Sequence, residues 1–247
     1  MSPSGTPERD SPPPLEARSL IRDFGALRAV DGIDLTLHPG EVVALFGPNG
    51  AGKSTLLRML GGGLLPTSGE VRIGGEPLRP SDHERHRHIG VLSHRSFLYT
   101  HLTAAENLRF YGRLFGLDDL DERVPERLAR VGLEARASDR VEGFSRGMRQ
   151  RLALARTLLH DPEIVLLDEP YTGLDPHAAV TLREVLSSLR DGRRSVVLVT
   201  HNLTQGLELS NRAVILVRGR VAYSGRASEI DPDTFEHLYH QTVEAAA

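Results

Sequence analysis

Short apolar runs bounded by turn residues recur along the chain and predict buried strands. Glu41–Phe46 and Ser195–Thr200 are almost continuously apolar, and Glu163–Leu167 is similar. Runs of this length without polar alternation are typical of strands that are covered on both faces. Further short strands are predicted at Ser19–Arg22, Gly32–Leu37, Gly69–Ile73, His88–Leu92 and Ala213–Arg218.

Helical segments are predicted between these strands. In Thr103–Phe115, Thr103 is an N-cap candidate and Glu106 occupies the capping-box position. Apolar strands that alternate with helices predict an α/β fold with a mainly parallel sheet. The strand-poor region from about 93 to 160 predicts a helical insert in that core. The other predicted helices are Lys53–Leu60, Asp121–Val131, Pro176–Leu189 and Leu203–Leu209.

Length and composition favour one domain at 15–230, followed by a C-terminal helix or tail at 231–247. The first 14 residues are rich in Pro and Ser and have no apolar core of a signal peptide, so we expect a disordered tail. No stretch approaches the roughly 18 apolar residues of a membrane helix. The net charge of -3 predicts no nucleic-acid partner, and the absence of cysteine excludes disulfides and thiolate metal sites.

A glycine-rich loop follows the Glu41–Phe46 strand and precedes a predicted helix. It matches the phosphate-binding pattern G-x-x-x-x-G-K-[ST] in the required strand–loop–helix context. Backbone N–H groups of such a loop surround phosphates, the lysine reaches the β- and γ-phosphates, and the following hydroxyl binds Mg²⁺. The predicted ATP-binding residues of this loop are Gly47, Pro48, Asn49, Gly50, Ala51, Gly52, Lys53, Ser54 and Thr55.

Lys53 is the only lysine among the 30 basic residues of lysine and arginine type. A codon preference for arginine is the simplest origin of such a bias. The one exception nevertheless falls in the glycine loop, where a compact ammonium fits between phosphates and a planar guanidinium does not. The composition therefore supports a phosphate site independently of the motif.

Two acids end the Glu163–Leu167 strand, and a histidine ends the Ser195–Thr200 strand. Carboxyl ends of parallel strands face the crevice in which α/β proteins bind ligands. We expect Asp168 to bind Mg²⁺, together with Ser54, and Glu169 to orient or deprotonate the attacking water. His201 is a candidate sensor of the γ-phosphate, although a lone histidine is more often structural.

These motifs, in this order, resemble the ATP-binding subunits of ABC transporters from Leu15 to about Ala227. The segment Phe144–Arg151 is similar to the ABC signature, Leu-Ser-Gly-Gly-Gln, and retains Ser145 and Gly147. Arg146 and Met148 depart from it, and a methionine cannot make the polar contact of glutamine. The resemblance implies the ABC ATPase fold, with antiparallel β elements at its N-terminus. It also implies a dimer in which Ser145 and Gly147 contact ATP on the opposite subunit.

The resemblance assigns roles to further positions. Phe24 would stack on adenine, although a core phenylalanine is the alternative. His201 would be the switch histidine, and Gly173-Leu174-Asp175 would be the D-loop at the dimer axis. His94 stands where the family has a magnesium-sensing glutamine, so a metal role for His94 is a hypothesis that depends on its protonation.

Within the family, the segments Leu98-Tyr99 and Leu102–Tyr111 resemble the heme-exporter ATPase of cytochrome c maturation. The ATPases of drug and polysaccharide exporters share many of these sequence features. The resemblance implies ATP hydrolysis, a homodimer or pseudo-dimer, and an integral-membrane permease as partner. It also implies that this chain is cytoplasmic and peripheral on the cytoplasmic face of the cell membrane. The alternative is a soluble ABC-type ATPase that serves as an assembly factor. A GTPase is disfavoured because Lys53, the only lysine, leaves no Asn-Lys-x-Asp motif, and a kinase is disfavoured by the signature helix.

Overall fold

The computed structural model describes residues 12–93, 96–172, 174 and 176–246. Strands and helices alternate along this part of the chain as the hydrophobic pattern predicts. The strands are β1 (Leu15–Phe24), β2 (Leu27–Leu37), β3 (Val42–Phe46), β4 (Ser68–Ile73), β5 (Glu76–Pro77), β6 (Ile89–Leu92), β7 (Ile164–Asp168), β8 (Ser195–Val199), β9 (Arg212–Val217) and β10 (Arg220–Arg226). The helices are α1 (Lys53–Leu60), α2 (His83–His86), α3 (Ala104–Leu114), α4 (Leu120–Arg130), α5 (Arg146–Thr157), α6 (Pro176–Ser188), α7 (Leu203–Leu209) and α8 (Phe235–Ala245).

The strands form two sheets. The larger has the order β10-β9-β3-β8-β7-β6, in which the strands from β9 to β6 run parallel and β10 pairs antiparallel with β9. The smaller has the order β2-β1-β4-β5 and is antiparallel. The predicted α/β class, with a mainly parallel sheet and antiparallel N-terminal elements, is therefore confirmed.

Both faces of the larger sheet are covered, because successive side chains of its central strands enter different clusters. Val165 and Leu167 of β7 pack with the helices α3 to α6. Ile164 and Leu166 pack with α1 and the smaller sheet. This two-sided burial explains why β3, β7 and β8 are apolar along their whole length.

The region between β6 and β7 is helical, as predicted. Its first helix, α3, is capped by Thr103, whose side chain accepts from Glu106 N while the Glu106 carboxylate accepts from Thr103 N. Among the described residues of this region, the one β interaction is an isolated bridge between Thr103 and Arg140. The helical insert shares one hydrophobic core with β7 and β8.

The sequence pattern did not predict β5, α2 or β10. The side chains of β10 are mostly exposed, so this edge strand has no apolar run to reveal it. Phe235 of α8 packs edge-to-face on Phe46 with 5.1 Å between ring centroids, and so joins the C-terminal helix to the sheet. The boundaries 1–14, 15–230 and 231–247 stay predictions. No helix of the described residues is long and apolar enough to cross a membrane.

Candidate nucleotide site

The candidate residues converge where three neighbouring parallel strands end. β3, β8 and β7 lie side by side in that order. The glycine loop connects β3 to α1, Glu169 follows β7, and His201 follows β8 after one residue. The carboxyl edge of the sheet therefore gathers the predicted phosphate-binding and hydrolytic side chains, as expected for an α/β ligand crevice.

The loop has a backbone that glycine alone accommodates at two points. Gly47 and Gly52 have φ values of 146° and 96°. A Cβ atom on Gly52 would lie 2.2 Å from the carbonyl oxygen of Ala29, and one on Gly47 would lie 2.2 Å from that of Leu216. Neighbouring backbone thus closes directly against the loop, and only glycine permits that approach.

The Lys53 side chain curls back over the loop. Its Nζ donates to the carbonyl oxygens of Gly47 and Pro48 at 2.6 and 2.9 Å. Burial lowers the pKa of Lys53, while the carboxylates of Glu169 and Asp168 counteract that shift. The ammonium is thereby held beside the helix N-terminus, where both attract an oxyanion.

Ser54 and Asp168 meet across the crevice. The Ser54 hydroxyl donates to Asp168 Oδ1 at 3.1 Å, and the Asp168 side chain is buried. A hydroxyl and a carboxylate are oxygen ligands of the kind that Mg²⁺ prefers, so these residues fit the metal. Among the described residues no group of three or more His, Cys, Asp or Glu could hold a metal ion. A magnesium ion here would therefore need water and phosphate oxygens as its other ligands.

Glu169 and His201 form a close pair. His201 Nδ1 lies 2.7 Å from Glu169 Oε2, and the Glu169 N–H donates to Val199 O at 2.9 Å. Glu169 has φ 49°, in the left-handed region that costs a non-glycine residue on the order of 1–2 kcal/mol. The strained backbone of Glu169 lies at the position from which its carboxylate faces the crevice.

The signature segment forms the N-terminus of α5. Ser145 caps the helix by accepting from Met148 N at 3.2 Å, and Gly147 is buried in the first turn. No described contact joins Ser145 or Gly147 to the glycine loop. The amide of Gln150 donates to Pro170 O at 3.1 Å, and so ties α5 to the residue after Glu169.

Two arginines at the start of α5 were not predicted as site residues. Arg146 and Arg149 line a cavity of about 410 Å³ together with Gln150, Asp168 and Glu169. The first turn of α5 contains no acidic residue. Positive side chains at a helix N-terminus are unfavourable unless an anion is bound there. This pattern of charge in the sequence could therefore have indicated that the two arginines belong to an anion site.

Phe24 lies at the tip of the β1–β2 hairpin, beside the loop. Phe24 is 44% exposed, and the guanidinium of Arg22 stands 4.7 Å from its ring centroid. The same hairpin contributes Ala29, which contacts Gly52. An exposed ring at this place is not the core phenylalanine of the alternative. Three other predicted residues, His94, Gly173 and Asp175, lie outside the described residues.

The fold and this cluster define a nucleotide-hydrolysing P-loop ATPase domain, and the comparisons name its family. The family model described as ABC transporter matches residues 30–172. The chain belongs to this family and is an ATP-binding subunit that hydrolyses ATP.

Three similar proteins support that assignment. A Nod factor export ATP-binding protein I from Cupriavidus metallidurans is 38% identical over 218 residues, which cover 87% of this chain and 72% of that protein. A solved ATP-binding subunit of an ABC transporter is 30% identical with a TM-score of 0.84, over 92% of this chain and 98% of that one. A dimeric ATP-binding cassette in a post-hydrolysis state with ADP and Pi is 29% identical with a TM-score of 0.77, over 86% and 98%.

Proposed function

We propose that the chain powers an ABC exporter by hydrolysing ATP with Mg²⁺ in a head-to-tail dimer on the cytoplasmic face of the cell membrane. The observation that carries the proposal is the convergence of Lys53, Ser54 and Asp168 with the Glu169–His201 pair at one edge of the sheet. Export is favoured over import because a similar protein is named for Nod factor export.

Each side chain has a role in the proposed hydrolysis. Lys53 binds the β- and γ-phosphate oxygens, and the exposed ring of Phe24 stacks on adenine. Ser54 and Asp168 hold Mg²⁺, which supplies charge compensation for the phosphates. Glu169 orients or deprotonates the attacking water. His201, bonded to Glu169 through Nδ1, keeps Nε2 for a γ-phosphate oxygen.

The second half of each site comes from the opposite subunit. Ser145 accepts from Met148 N, and the first N–H groups of the helix have no carbonyl partner within the helix. In the proposed dimer, Ser145 and Gly147 receive the γ-phosphate of the partner's ATP. Leu174, with the neighbouring Gly173 and Asp175, approaches the dimer axis. His94 remains a candidate for sensing Mg²⁺ at the end of β6.

An exposed aromatic surface is the proposed docking site for the permease. Phe97, Tyr99 and Phe110 are 56%, 49% and 41% exposed, and Tyr99 packs edge-to-face on Phe110 with 4.9 Å between ring centroids. Rings of this size in contact and open to solvent are typical of protein interfaces. Because Phe97 and Tyr99 follow His94 closely in the sequence, docking on them would be coupled to the nucleotide site.

The docking proposal is tested with the double variant L98S/Y99S in cells and as purified protein. Coupled transport should fall at least about tenfold, since interface aromatics dominate binding energy. Basal ATPase activity should stay close to that of the unaltered chain. Retained transport would contradict the docking site, and loss of folding would show that Leu98 and Tyr99 serve the core of the insert instead.

The identity of the transported molecule is a more specific part of the proposal. Heme export rests on the resemblance of Leu98-Tyr99 and Leu102–Tyr111, whereas the relative's name favours a different exported molecule. Deletion of the gene distinguishes them, because a heme exporter is required for c-type cytochromes and other exporters are not. Normal cytochromes would reject heme. Purification without any polytopic membrane protein would favour the soluble assembly factor.

A further inference from the structure

A second cleft lies outside the nucleotide site. It is formed by α4, the end of α5, α6 and the loop before β8, and it has a volume of about 440 Å³. This is within the range of about 300–1,000 Å³ typical of small-molecule sites. None of the predicted nucleotide-binding or hydrolytic residues lines it.

The unusual feature of this cleft is Arg127. Its side chain is only 8% exposed, and its Nε is buried without a hydrogen-bond partner among the described residues. The closest carboxylate oxygens, from Glu126 and Asp161, stand 3.7 Å away. Burial lowers the pKa of Arg127. A desolvated guanidinium with no close acceptor is costly, and a bound oxyanion would remove that cost.

The acids near Arg127 are already engaged elsewhere. Asp161 is in contact with the Arg194 guanidinium, and Arg194 Nη1 also lies 2.6 Å from Asp191 Oδ2. The neighbouring Arg193 lines the same cleft and makes no described side-chain hydrogen bond. Arg130, which also lines the cleft, pairs with Glu126 at 2.9 Å. Arg127, whose two ion pairs are long, and Arg193 are therefore the guanidinium groups best able to hold a ligand.

Part of the remaining wall is apolar. Val131, Val185 and Leu189 line the cleft and are almost fully buried, and Ala155 and Leu158 extend this surface. A polyphosphate would leave such a wall unused. One further carboxylate at the rim, Glu184, also disfavours a ligand of high charge. The lining suits a single oxyanion head with an apolar body.

We propose that this cleft binds a small anionic amphiphile, with a carboxylate or phosphate-monoester head on Arg127 and Arg193 and an apolar chain against Val131 and Leu189. Because α4 belongs to the helical insert and the loop before β8 to the sheet, such a ligand would join the two parts. The proposal is independent of the permease and of the cargo.

The test is calorimetric titration of the full chain with the nucleotide site filled by ADP. Octyl phosphate and octanoate, kept below their micelle concentrations, should each bind saturably below about 1 mM. Octanol and inorganic phosphate test the head and the chain separately and should bind at least about tenfold more weakly. The stronger of the two amphiphiles identifies the head group.

Two variants and one control locate the binding. R127Q and R193Q should each weaken octyl phosphate binding at least about tenfold while ADP binding is retained. Arg193 lies in an exposed loop, so R193Q should fold and still tests the binding site if R127Q does not fold. R113Q, an exposed arginine on α3, should change nothing. Unchanged binding in R193Q, equal binding of octanol, or equal binding of inorganic phosphate would overturn the proposal.

Discussion

At the residue scale, Lys53 concentrates the chemistry of the phosphate site. Its ammonium is held by two loop carbonyls and is partly desolvated, so its position over the loop is fixed by the chain itself. We expect K53A to lower kcat for ATP at least about 100-fold, the typical cost of losing one preorganised charge at a transition state. K53R should fail similarly, because the broad guanidinium does not fit between the same carbonyls.

The measurement is steady-state release of phosphate, with a thermal-stability assay to show that each variant is folded. A distant arginine substitution, R113K, is the matched control and should leave kcat unchanged. Normal turnover of K53R would refute the inference that the single lysine is required for its shape.

Gly52 carries a second prediction at this scale. A Cβ atom at this residue would lie 2.2 Å from Ala29 O, and its φ of 96° is unfavourable for any side chain. We expect G52A to destabilise the protein by about 1–3 kcal/mol and to weaken ATP binding, since the loop must move. Urea denaturation measures the first effect and nucleotide titration the second. The control is G63A, which should be nearly neutral because a Cβ atom there would lie 3.6 Å from its nearest neighbour, Arg58 O.

Motif spacing was sufficient to predict most of the site at this scale. Ser54 and Asp168 are 114 residues apart, yet a glycine loop and an acid at a strand end predicted that both belong to one Mg²⁺ site. Arg146 and Arg149 were missed because arginine is common in this chain and carries no motif of its own. The Glu169–His201 pair depends on two neighbouring strand ends and a left-handed residue, and no local pattern encodes that distance.

At the element scale, apolar runs predicted the strands that are buried on both faces and failed at the polar edge. β3, β7 and β8 are fully buried, so their sequences are apolar whatever the surrounding topology. β10 is exposed, and its pairing with β9 comes from the turn and the sheet edge. The capping-box pattern also predicted the start of α3, where Thr103 and Glu106 form the two reciprocal hydrogen bonds.

The contact between Phe115, which follows α3, and His160, which follows α5, predicts that the stability of the protein depends on pH. His160 stacks on Phe115 with 3.9 Å between ring centroids, and its Nδ1 is buried with no partner among the described residues. Burial lowers the pKa of His160 from 6.5 to about 4. As the pH falls, His160 therefore takes up a proton at a higher pH in the unfolded chain than in the folded chain. The contribution of neutral His160 is complete above pH 6.5 and is lost as pH falls toward 4.

We expect the unfolding free energy to fall by up to about 3 kcal/mol over this window because of His160 alone. H160Q should be less stable at pH 7.5 but should show a flatter decline between pH 6.5 and 4.5. Urea denaturation at several pH values measures both. H240Q, at an exposed histidine of α8, should keep the original pH dependence. Parallel curves for H160Q and the unaltered chain would refute the assignment.

At the scale of the whole molecule, the signature segment and the glycine loop are separate in one chain, although Arg146 and Arg149 of that segment line a cavity with Asp168 and Glu169. The glycine loop, Asp168 and Glu169 lie at the carboxyl edge of the sheet, whereas no described contact brings Ser145 or Gly147 to that loop. The sequence predicted this division only through family resemblance, since a single chain carries no spacing signal for a contact with its own copy. A dimer is therefore the decisive test of the proposed mechanism.

The dimer prediction uses E169Q, which preserves the shape of the side chain and removes the basicity needed to activate water. With ATP and Mg²⁺, this variant should bind nucleotide, hydrolyse it at least about 100-fold more slowly, and elute as a dimer on size exclusion. The double variant E169Q/S145R should retain ATP binding in its own glycine loop but elute as a monomer, because a bulky cation then occupies the position of the N-cap hydroxyl that faces the opposite site. A matched double variant, E169Q/R113Q, should still dimerise. If E169Q remains monomeric with saturating ATP and Mg²⁺, the site is complete within one chain and the role of Ser145 is confined to capping α5.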